Sequence, residues 1–377
     1  YTCYDLSFGE KSKELLRNGF SKIEVETLRK SLLDLTNNLV KNSQNAIAKD
    51  LDSLKTMEKN RNKIKRELDI SEDSVRSLLD SAKFLLDDCR KKGTVQFSRL
   101  ARLGFVGKIL FKSLVDRKIV DENFYYGFMS SISTVATEIN GDFKLMMSGS
   151  MAKEEFIRKY YHLRPGSYDI TSPRYEANPS LIRDSNTGIS DGKPSSHFKI
   201  DKYSEEKIDS AFKKEGIEFC ARDFLQFVRS SLEAREFSKF EFTKNLSDAL
   251  ELIALAGEKM GFTRQELAML GVEDLFSGNA KSRDKITSAW KDIIKNRSGE
   301  REINRKIVLP PVIISEKDLD IVRYYVPRPN YITQKKVEAE LKKLDETNKE
   351  KIPDISGKID MIENGDPGYD WIFTRKP

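Results

Sequence analysis

The chain of 377 residues is long enough for about two domains, and its 38% hydrophobic and 33% charged residues are typical of a globular protein with much solvated helical surface. Its 66 basic and 60 acidic residues give a net charge of +6 but are mixed along nearly every segment, which argues against a concentrated nucleic-acid-binding face. Three widely spaced cysteines, Cys3, Cys89 and Cys220, fit neither a disulfide framework nor a zinc site, and no apolar run approaches the length of a membrane span. We therefore expect buried or half-buried free thiols in a reducing, cytoplasmic compartment.

Successive amphipathic helices are predicted for the first 160 residues. The first begins at a capping box formed by Ser21 and Glu24, and its leucines recur at helical spacing as far as Leu39. A second apolar stripe covers 47–64. A third helix is expected to end at Gly93, because glycine readily adopts the left-handed conformation that closes a helix. Further helices are predicted at about 97–115, at about 122–138 and from about 150.

The helical pattern breaks at residue 162. The segment 162–175 is rich in turn-forming residues, and 176–203 is polar and rich in Ser, Asn, Asp, Gly and Pro. So long a loop in a compact domain is usually functional or disordered. Helical periodicity then returns, and Gly261 and Gly271 stand where two of the later helices would end. These later helices are predicted at about 205–213, 221–236, 247–260, 263–270 and 281–295.

The pattern changes again after residue 305. The segment 306–314 is rich in β-branched residues and 358–362 alternates apolar and polar residues, so both are predicted to be extended. Pro327 and Pro329 forbid a helix in the stretch where they stand. The lysine- and glutamate-rich run 338–351 is predicted to be solvated surface. The expected fold is therefore mainly α, with a multi-helix domain at 1–305, an extended linker at 306–330 and the truncated start of a small α/β or β-rich domain at 331–377.

The densest polar cluster in the sequence lies between His162 and Arg174 and includes Arg164 and Asp169. The planar fork of arginine suits recognition of phosphate or carboxylate, and an internal acid can hold that fork in place. The alternative is that Asp169 pairs with both arginines only to hold a buried turn together. His162 is, on the same view, a hydrogen-bonded packing residue.

A second basic cluster is formed by Arg235 and Lys239, which lie four residues apart and so share one face of a helix. Like charges at that spacing repel each other unless an acid neutralises them. The pair therefore indicates an anion pocket, a pairing with a carboxylate of another helix, or simple exposure to solvent. No phosphate-binding loop, dinucleotide turn or nucleophile elbow occurs, so we predict no catalytic and no metal-binding residue. A group of phenylalanines at near-helical spacing is predicted to belong to the core, namely Phe224, Phe227, Phe237, Phe240 and Phe242.

The segment 162–175 resembles the turn in the middle domain of phosphoenolpyruvate-utilising phosphotransferases, a family that includes phosphoenolpyruvate synthase-like proteins and rifampicin phosphotransferase. The segments 235–239 and 246–252 resemble a helix of the same domain. The segment 2–8 resembles the part of those proteins that follows their nucleotide-binding half. The segments 327–333 and 363–371 resemble the entry to their swivelling phosphohistidine domain. The order of these motifs, along nearly the whole chain, strengthens the resemblance.

This resemblance implies a relay in which an ATP-grasp domain uses ATP and Mg²⁺ to phosphorylate a histidine of a mobile domain, which then delivers the phosphoryl group to an acceptor. The sequence contains neither the nucleotide-binding half nor the histidine-bearing segment, and His197 lacks the neighbours typical of that histidine. The chain also begins at Tyr1 and ends at Pro377 as though cut from a longer polypeptide. We therefore expect it to bind no cofactor itself and to be catalytically incomplete alone.

By the same resemblance, the chain contributes the acceptor-binding and linker region. Its expected partners are a small-molecule acceptor and the missing ATP-grasp and phosphohistidine domains, with no nucleic acid and no membrane. Pyruvate, a sugar and an antibiotic are all open as acceptors. The residues carried over as candidates for lining the acceptor pocket are His162, Arg164, Asp169, Arg174, Arg235 and Lys239.

Two other hypotheses stay open at this point. A helical interaction or scaffold protein would expose a sizeable apolar patch. A nucleic-acid-binding helical protein would show a basic stripe and steeply salt-dependent binding, and the mixed charges of this sequence argue against it.

Overall fold

The computed structural model describes residues 3–68, 74–177, 198–276, 282–304, 307–308, 313–320, 323–324, 336–344 and 357–362. It is mainly α-helical, as predicted. The helices are α1 (Phe8–Arg17), α2 (Lys22–Glu67), α3 (Val75–Cys89), α4 (Val95–Asp116), α5 (Glu122–Ser130), α6 (Val135–Met147), α7 (Lys153–Tyr160), α8 (Lys202–Glu215), α9 (Ala221–Lys259), α10 (Arg264–Leu267), α11 (Val272–Phe276) and α12 (Arg283–Asn304). The predicted features at 178–197, 327–333 and 363–371, including His197, lie outside the described residues.

Two short sheets follow the helices. Strands β1 (Ile307–Val308) and β2 (Arg323–Tyr324) are antiparallel, whereas β3 (Leu341–Leu344) and β4 (Ile359–Ile362) are parallel. Strand β4 confirms the strand predicted at 358–362. Strand β3 falls within the run predicted to be solvated surface, and its last residue, Leu344, is buried.

The longest helices are longer than the sequence pattern predicts. Helix α2 begins at the predicted capping box, in which Ser21 Oγ accepts a hydrogen bond from the Glu24 amide and the Glu24 carboxylate accepts one from the Ser21 amide. It then continues without interruption through both predicted stretches, because no glycine or proline separates them. Helix α9 joins the predicted helices at 221–236 and 247–260 for the same reason.

Gly93 does not end a helix, contrary to the prediction. Helix α3 passes through one π-helical turn, Arg90–Thr94, directly into α4. A Cβ atom at Gly93 would lie 2.6 Å from Cβ of Phe242, so the glycine allows a close approach of α9. Gly261, in contrast, has a φ of +84° and follows the last turn of α9, as predicted.

The helix predicted at about 122–138 is divided in two. Helix α5 ends at Ser130, and α6 begins after Thr134, whose hydroxyl accepts a hydrogen bond from the amide of Thr137. The Thr137 hydroxyl in turn accepts a hydrogen bond from the Thr134 amide, which completes a capping box. This local cap starts a new helix where the apolar spacing alone suggested continuity.

The described residues fall into two compact units. Unit 1 comprises 3–68, 84–163 and 198–248, and unit 2 comprises 74–83, 164–177 and the described residues from 249 onward. The predicted boundary near residue 305 lies within unit 2. Helices α3 and α9 each contribute residues to both units.

The core of unit 1 is built around Phe111 of α4. Its ring contacts those of Tyr125, Phe128 and Phe224, with centroids 5.0 to 5.6 Å apart. Burial of such large rings is the main source of stability in a helical bundle. The predicted core series is confirmed for three members and not for Phe237, which is 44% exposed; the buried members are Phe224, Phe227 and Phe242.

The core of unit 2 centres on Trp290 of α12, which packs against Phe262 at a centroid distance of 5.7 Å. The indole Nε1 donates a hydrogen bond to the main-chain oxygen of Asp274 at 3.3 Å. Leu267 fills the space beside Gly257, where a Cβ atom would lie 2.5 Å from the leucine. This small core fixes the end of α9 within unit 2.

The cysteines are free: Cys3 and Cys89 are buried, as predicted, whereas Cys220 is exposed. Of the helices that the structure describes, none combines the length and apolar character needed to cross a lipid bilayer.

Candidate functional site

The turn after α7 is wrapped around the side chain of Arg164, which is nearly fully buried. Arg164 Nη1 donates hydrogen bonds to the main-chain oxygens of Asp169 and Ser172, at 3.3 and 3.1 Å. The Ser172 hydroxyl accepts a hydrogen bond from the amide of Gly166 at 3.0 Å, which closes the turn on itself. The turn-rich composition of this segment therefore forms a compact shell of carbonyl groups around one guanidinium.

Three guanidinium groups surround the carboxylate of Glu251, on the part of α9 that belongs to unit 2. Glu251 Oε1 lies 3.0 Å from Nη2 of Arg164 and 3.7 Å from Nε of Arg174. Glu251 Oε2 lies 2.5 Å from Nη2 of Arg264, and Nη1 of Arg264 also donates to the main-chain oxygen of Ile170 at 2.9 Å. We call Arg164, Arg174, Arg264 and Glu251 the arginine cluster.

The pKa values of the cluster reflect this crowding. Burial raises the pKa of Glu251, but the hydrogen bond from Arg264 and the charges of Arg174, Arg264 and Arg164 outweigh it, so the net shift is downward. Burial lowers the pKa of Arg164. The charges of Arg174 and Arg264 act in the same direction, and the Glu251 carboxylate opposes them. Glu251 therefore stays ionised and holds the three arginines in place.

Asp169 is not the acid that holds the arginines. Its Oδ1 accepts hydrogen bonds from the amide and the hydroxyl of Thr171, both at 2.8 Å, and its side chain is exposed. The alternative in which Asp169 pairs with Arg164 and Arg174 is therefore wrong in its choice of acid. Glu251, four turns of helix beyond Arg235, takes that role because α9 is continuous.

His162 lies in unit 1 and is buried. Its ring packs edge-on against Phe240 at a centroid distance of 4.7 Å and against Tyr161 at 5.4 Å. Its main-chain oxygen accepts a hydrogen bond from the hydroxyl of Ser247 at 2.8 Å. These contacts agree with the interpretation of His162 as a packing residue.

Arg235 and Lys239 also belong to unit 1. The Arg235 guanidinium lies over the ring of Phe105 at 5.6 Å and is 3.7 Å from the carboxylate of Glu236, and Lys239 is exposed. The six predicted residues are thus divided between the two units, with Arg164 and Arg174 together in the arginine cluster. That all six line one acceptor pocket stays a prediction.

Unit 1 contains a second polar site, which the sequence analysis missed. Along α9, buried polar residues recur at spacings of three and four, and their exposed fractions are 0% for Ser238, 7% for Glu241, 0% for Asn245 and 6% for Asp248. A buried helical seam with this spacing is ordinarily apolar. A polar seam at full burial is therefore the informative feature of this helix.

Arg61 of α2 faces that seam. It continues the buried series of Leu54 and Met57, again at spacings of three and four, and is itself 3% exposed. Its Nη1 donates a hydrogen bond to Oδ1 of Asn245 at 3.0 Å, and Nδ2 of Asn245 donates to the main-chain oxygen of Leu85 at 3.4 Å. The amide thus fixes one edge of the guanidinium.

The two carboxylates near Arg61 lie outside hydrogen-bonding distance. Glu241 Oε2 is 3.8 Å from Nη2 of Arg61, and Asp248 Oδ2 is 4.0 Å from its Nε. Glu241 Oε1 accepts a hydrogen bond from Nζ of Lys244 at 2.5 Å, whereas the buried Oε2 has no hydrogen-bond partner within the described part of the chain.

Asp248 has further partners in Lys65 and Tyr161. Its Oδ2 lies 3.0 Å from Nζ of Lys65 and accepts a hydrogen bond from the Tyr161 hydroxyl at 3.1 Å. Lys65 Nζ also donates a hydrogen bond to the phenolic oxygen of Tyr161 at 2.7 Å. We call this whole set the polar network, which consists of Arg61, Lys65, Tyr161, Glu241, Lys244, Asn245 and Asp248.

Comparisons with known proteins give no further guide to these two sites. The chain matches no protein-family model, and no curated protein or solved structure is significantly similar to it. Within the described ranges, no group of three or more His, Cys, Asp and Glu side chains is arranged to hold a metal ion.

Proposed function

We propose that this chain supplies the acceptor-binding and linker region of an ATP-dependent phosphotransferase similar to phosphoenolpyruvate synthase. The arginine cluster is the observation that carries the proposal. It lies in the segment 162–175, which resembles the middle-domain turn of that family, and it gathers three guanidinium groups at one carboxylate. The mainly helical fold supports the same assignment, because the resemblance implies a helical middle domain.

The cluster suits phosphoryl chemistry for a physical reason. Phosphoryl transfer depends on positioning and on cationic groups that meet the charge of the transferred group, more than on covalent chemistry by the protein. Arginine forks match phosphate oxygens in geometry, and Glu251 holds these forks in place before any ligand arrives. The side chain of Arg264 is 36% exposed, so the cluster reaches the surface of unit 2.

The proposal includes the rest of the relay. ATP and Mg²⁺ belong to the ATP-grasp domain, and the phosphorylated histidine belongs to the swivelling domain of the same cytoplasmic polypeptide. This chain presents a small-molecule acceptor to that histidine. Both domains are proposed to be encoded by the natural gene, on either side of residues 1–377.

The test uses the natural full-length polypeptide with radiolabelled ATP and Mg²⁺. We expect an acid-labile, base-stable phosphohistidine outside residues 1–377. Arg264→Gln is expected to slow transfer from that histidine to the acceptor by about tenfold or more, with no loss of histidine labelling. Arg301→Gln, which alters an exposed arginine of α12, is the matched control and should transfer at the wild-type rate.

A gene that encodes neither an ATP-grasp region nor the histidine segment would refute the proposal. It would favour the alternative of a helical interaction or scaffold protein. Normal transfer by the Arg264→Gln protein would separate the arginine cluster from the acceptor site.

A further inference from the structure

We infer that the solvent-facing side of α4, together with the neighbouring turns of α9, binds a single-stranded nucleic acid. This binding goes beyond the proposed function and is independent of it. It follows from the charge of one segment, from the lack of ion pairs at its exposed cations and from an exposed aromatic ring among them.

The segment 90–115 is an exception to the mixing of charges along the chain. It contains seven Lys and Arg residues and no Asp or Glu. The rest of the chain holds the other 59 of the 66 basic residues and all 60 acidic residues, so this one segment accounts for the whole net positive charge. Basic charge concentrated on one element is the electrostatic footprint of a nucleic-acid-binding surface.

Helix α4 carries most of this segment and turns its basic side to the solvent. Its exposed residues recur at spacings of three and four, whereas the residues between them are buried in the core of unit 1. Two basic residues of α9 lie alongside. The Arg235 guanidinium is 5.6 Å from the ring centre of Phe105, and Lys239 is exposed one helical turn further along α9. We call this surface the basic face, which consists of Arg102, Phe105, Lys108, Lys112, Arg235 and Lys239.

Most cations of the basic face are not neutralised by the protein. Within the described part of the chain, Arg102, Lys108 and Lys239 make no ion pair and no hydrogen bond. Lys112 lies 3.5 Å from Asp116, and both side chains are more than half exposed, so this pair neutralises little. Clustered like charges repel one another, and an anion that spans them relieves this repulsion.

The spread of the cations selects a polymeric anion. Arg102 and Lys112 are ten residues apart on one helix, which corresponds to about 15 Å along its axis. Such a row meets several phosphates of one strand rather than a single small anion. The Phe105 side chain is 51% exposed among these cations, and an exposed ring beside basic groups is a platform on which a base stacks.

The packing of α4 argues against a duplex. Arg99 Nε donates a hydrogen bond to Asp50 of α2 at 3.1 Å, and a Cβ atom at Gly107 would lie 3.2 Å from Val228 of α9. Helix α4 is therefore flanked by two other helices. The major groove is about 12 Å wide and admits one helix, so α4 cannot enter it.

A lipid surface is also disfavoured. Phe105 is the only apolar member of the basic face, and binding of a helix to a bilayer scales with the apolar area that it inserts. A single strand uses both the row of cations and the ring.

The experiment measures fluorescence anisotropy of labelled oligouridine and oligothymidine strands of about 12 nucleotides with the full 377-residue chain. We expect binding at about 50 mM NaCl that weakens steeply with salt, with a slope of log Kd against log salt of about 3 for four phosphate contacts. The double variant Arg102→Gln/Lys108→Gln should weaken binding about tenfold or more and lower that slope by about 1.4. Binding of either strand supports the inference, and a preference for oligouridine would indicate use of the 2′-hydroxyl.

A matched control and an aromatic variant make the result specific. Lys153→Gln/Arg158→Gln also removes one lysine and one arginine, from exposed positions of α7, and should bind like the wild type. Phe105→Leu keeps an apolar side chain but removes the ring. It should weaken strand binding about fivefold or more without changing the salt slope. Circular dichroism checks that each variant is folded.

Three results would overturn the inference. The first is that neither strand binds at about 50 mM NaCl. The second is that Arg102→Gln/Lys108→Gln binds no more weakly than the control pair. The third is that Phe105→Leu binds like the wild type while polyglutamate, or vesicles of phosphatidylcholine and phosphatidylserine, bind as tightly as the strands. The basic face would then be a general surface for acidic proteins or lipids.

Discussion

Helix α9 passes through two opposite environments within unit 1. At its apolar end, Phe224, Phe227 and Val228 are buried beside Phe111 of α4. At its polar end, the seam from Ser238 to Asp248 is buried just as deeply but faces the charged side chain of Arg61. Burial of apolar rings stabilises a fold strongly, whereas buried charge pairs contribute little net stability after their desolvation. The comparison indicates that the apolar end holds unit 1 together and that the polar end is kept for another purpose.

The largest change in stability is expected from variants of Arg61 and Asn245, which test the polar end. Asn245→Leu removes the acceptor of Arg61 Nη1, and Arg61→Met leaves the buried amide of Asn245 without that donor. Each single change is expected to lower the free energy of unfolding by about 2 to 3 kcal/mol, measured by urea denaturation. The double variant should recover most of this loss, because both partners are replaced by apolar groups while Glu241 and Asp248 keep their lysines.

The control for these single and double variants is Glu258→Gln, which should change the free energy of unfolding by less than about 0.5 kcal/mol. A double variant as unstable as the sum of the two single variants would mean that the polar network is itself a major source of stability. The contrast between the two ends would then be lost.

The second effect compares how well the two ends exclude water. Burial raises the pKa of Cys3, in the apolar core, and of Cys89, beside Phe242 at the polar end, to about 11 in both cases. Because the folded-state pKa lies above that of the unfolded chain, about 9, the stabilisation is complete below about pH 9 and is lost as pH rises toward 11. The loss should reach about 2 kcal/mol at pH 11 for each thiol.

Urea denaturation between pH 7 and 11 measures this loss, with Cys3→Ala and Cys89→Ala as paired variants. Each substitution should remove its share of the decline and leave the other share intact. A decline that Cys89→Ala leaves unchanged would show that water reaches the polar end in the folded state.

The smallest effect compares two glycines of the same helical run. A methyl group at Gly93 would press against Phe242, whereas one at Gly104 would meet Leu232 at 3.4 Å, an ordinary contact. Gly93→Ala is therefore expected to cost about 1 to 2 kcal/mol. Gly104→Ala should leave stability unchanged or raise it by up to about 1 kcal/mol, since alanine favours the helix. Thermal denaturation of both variants checks the order, and equal effects would contradict the tight contact at the polar end.

Local signals in the sequence predicted much of the helical fold. The capping box at Ser21 and the glycine at position 261 each acted as their chemistry dictates. Gly93 failed as a terminator because its lack of a side chain serves a contact with a residue about 150 positions away, which no local pattern records. The division at Thr134 was missed because a threonine–threonine capping box is a weaker signal than one with glutamate.

The structure brings Arg164 and Arg174 to one carboxylate, and their role in an acceptor pocket stays a prediction. The nearby Asp169 was considered as their acid because distance along the chain was the only guide. Glu251 belongs to the motif 246–252, and only the long continuous α9 makes it the partner. Arg61 carried a usable signal, since an arginine continues the apolar spacing of Leu54 and Met57.

The π-helical turn at Arg90–Thr94 bears on how this protein can vary among related sequences. Such a turn holds one residue more than an α-helical turn, and each residue of an α-helix advances by about 100° around the axis. Deletion of one residue there would relax the turn to ordinary α-helical geometry without changing the phase of α4, because the turn already accommodates the extra residue. Deletion of one residue within α4 ahead of Gly104 would instead rotate the rest of that helix by about 100°. Gly104 and Gly107 would then leave the surface of α9, and bulkier side chains would take their place. Homologues should therefore tolerate a single-residue deletion at this turn far better than one in the first half of α4.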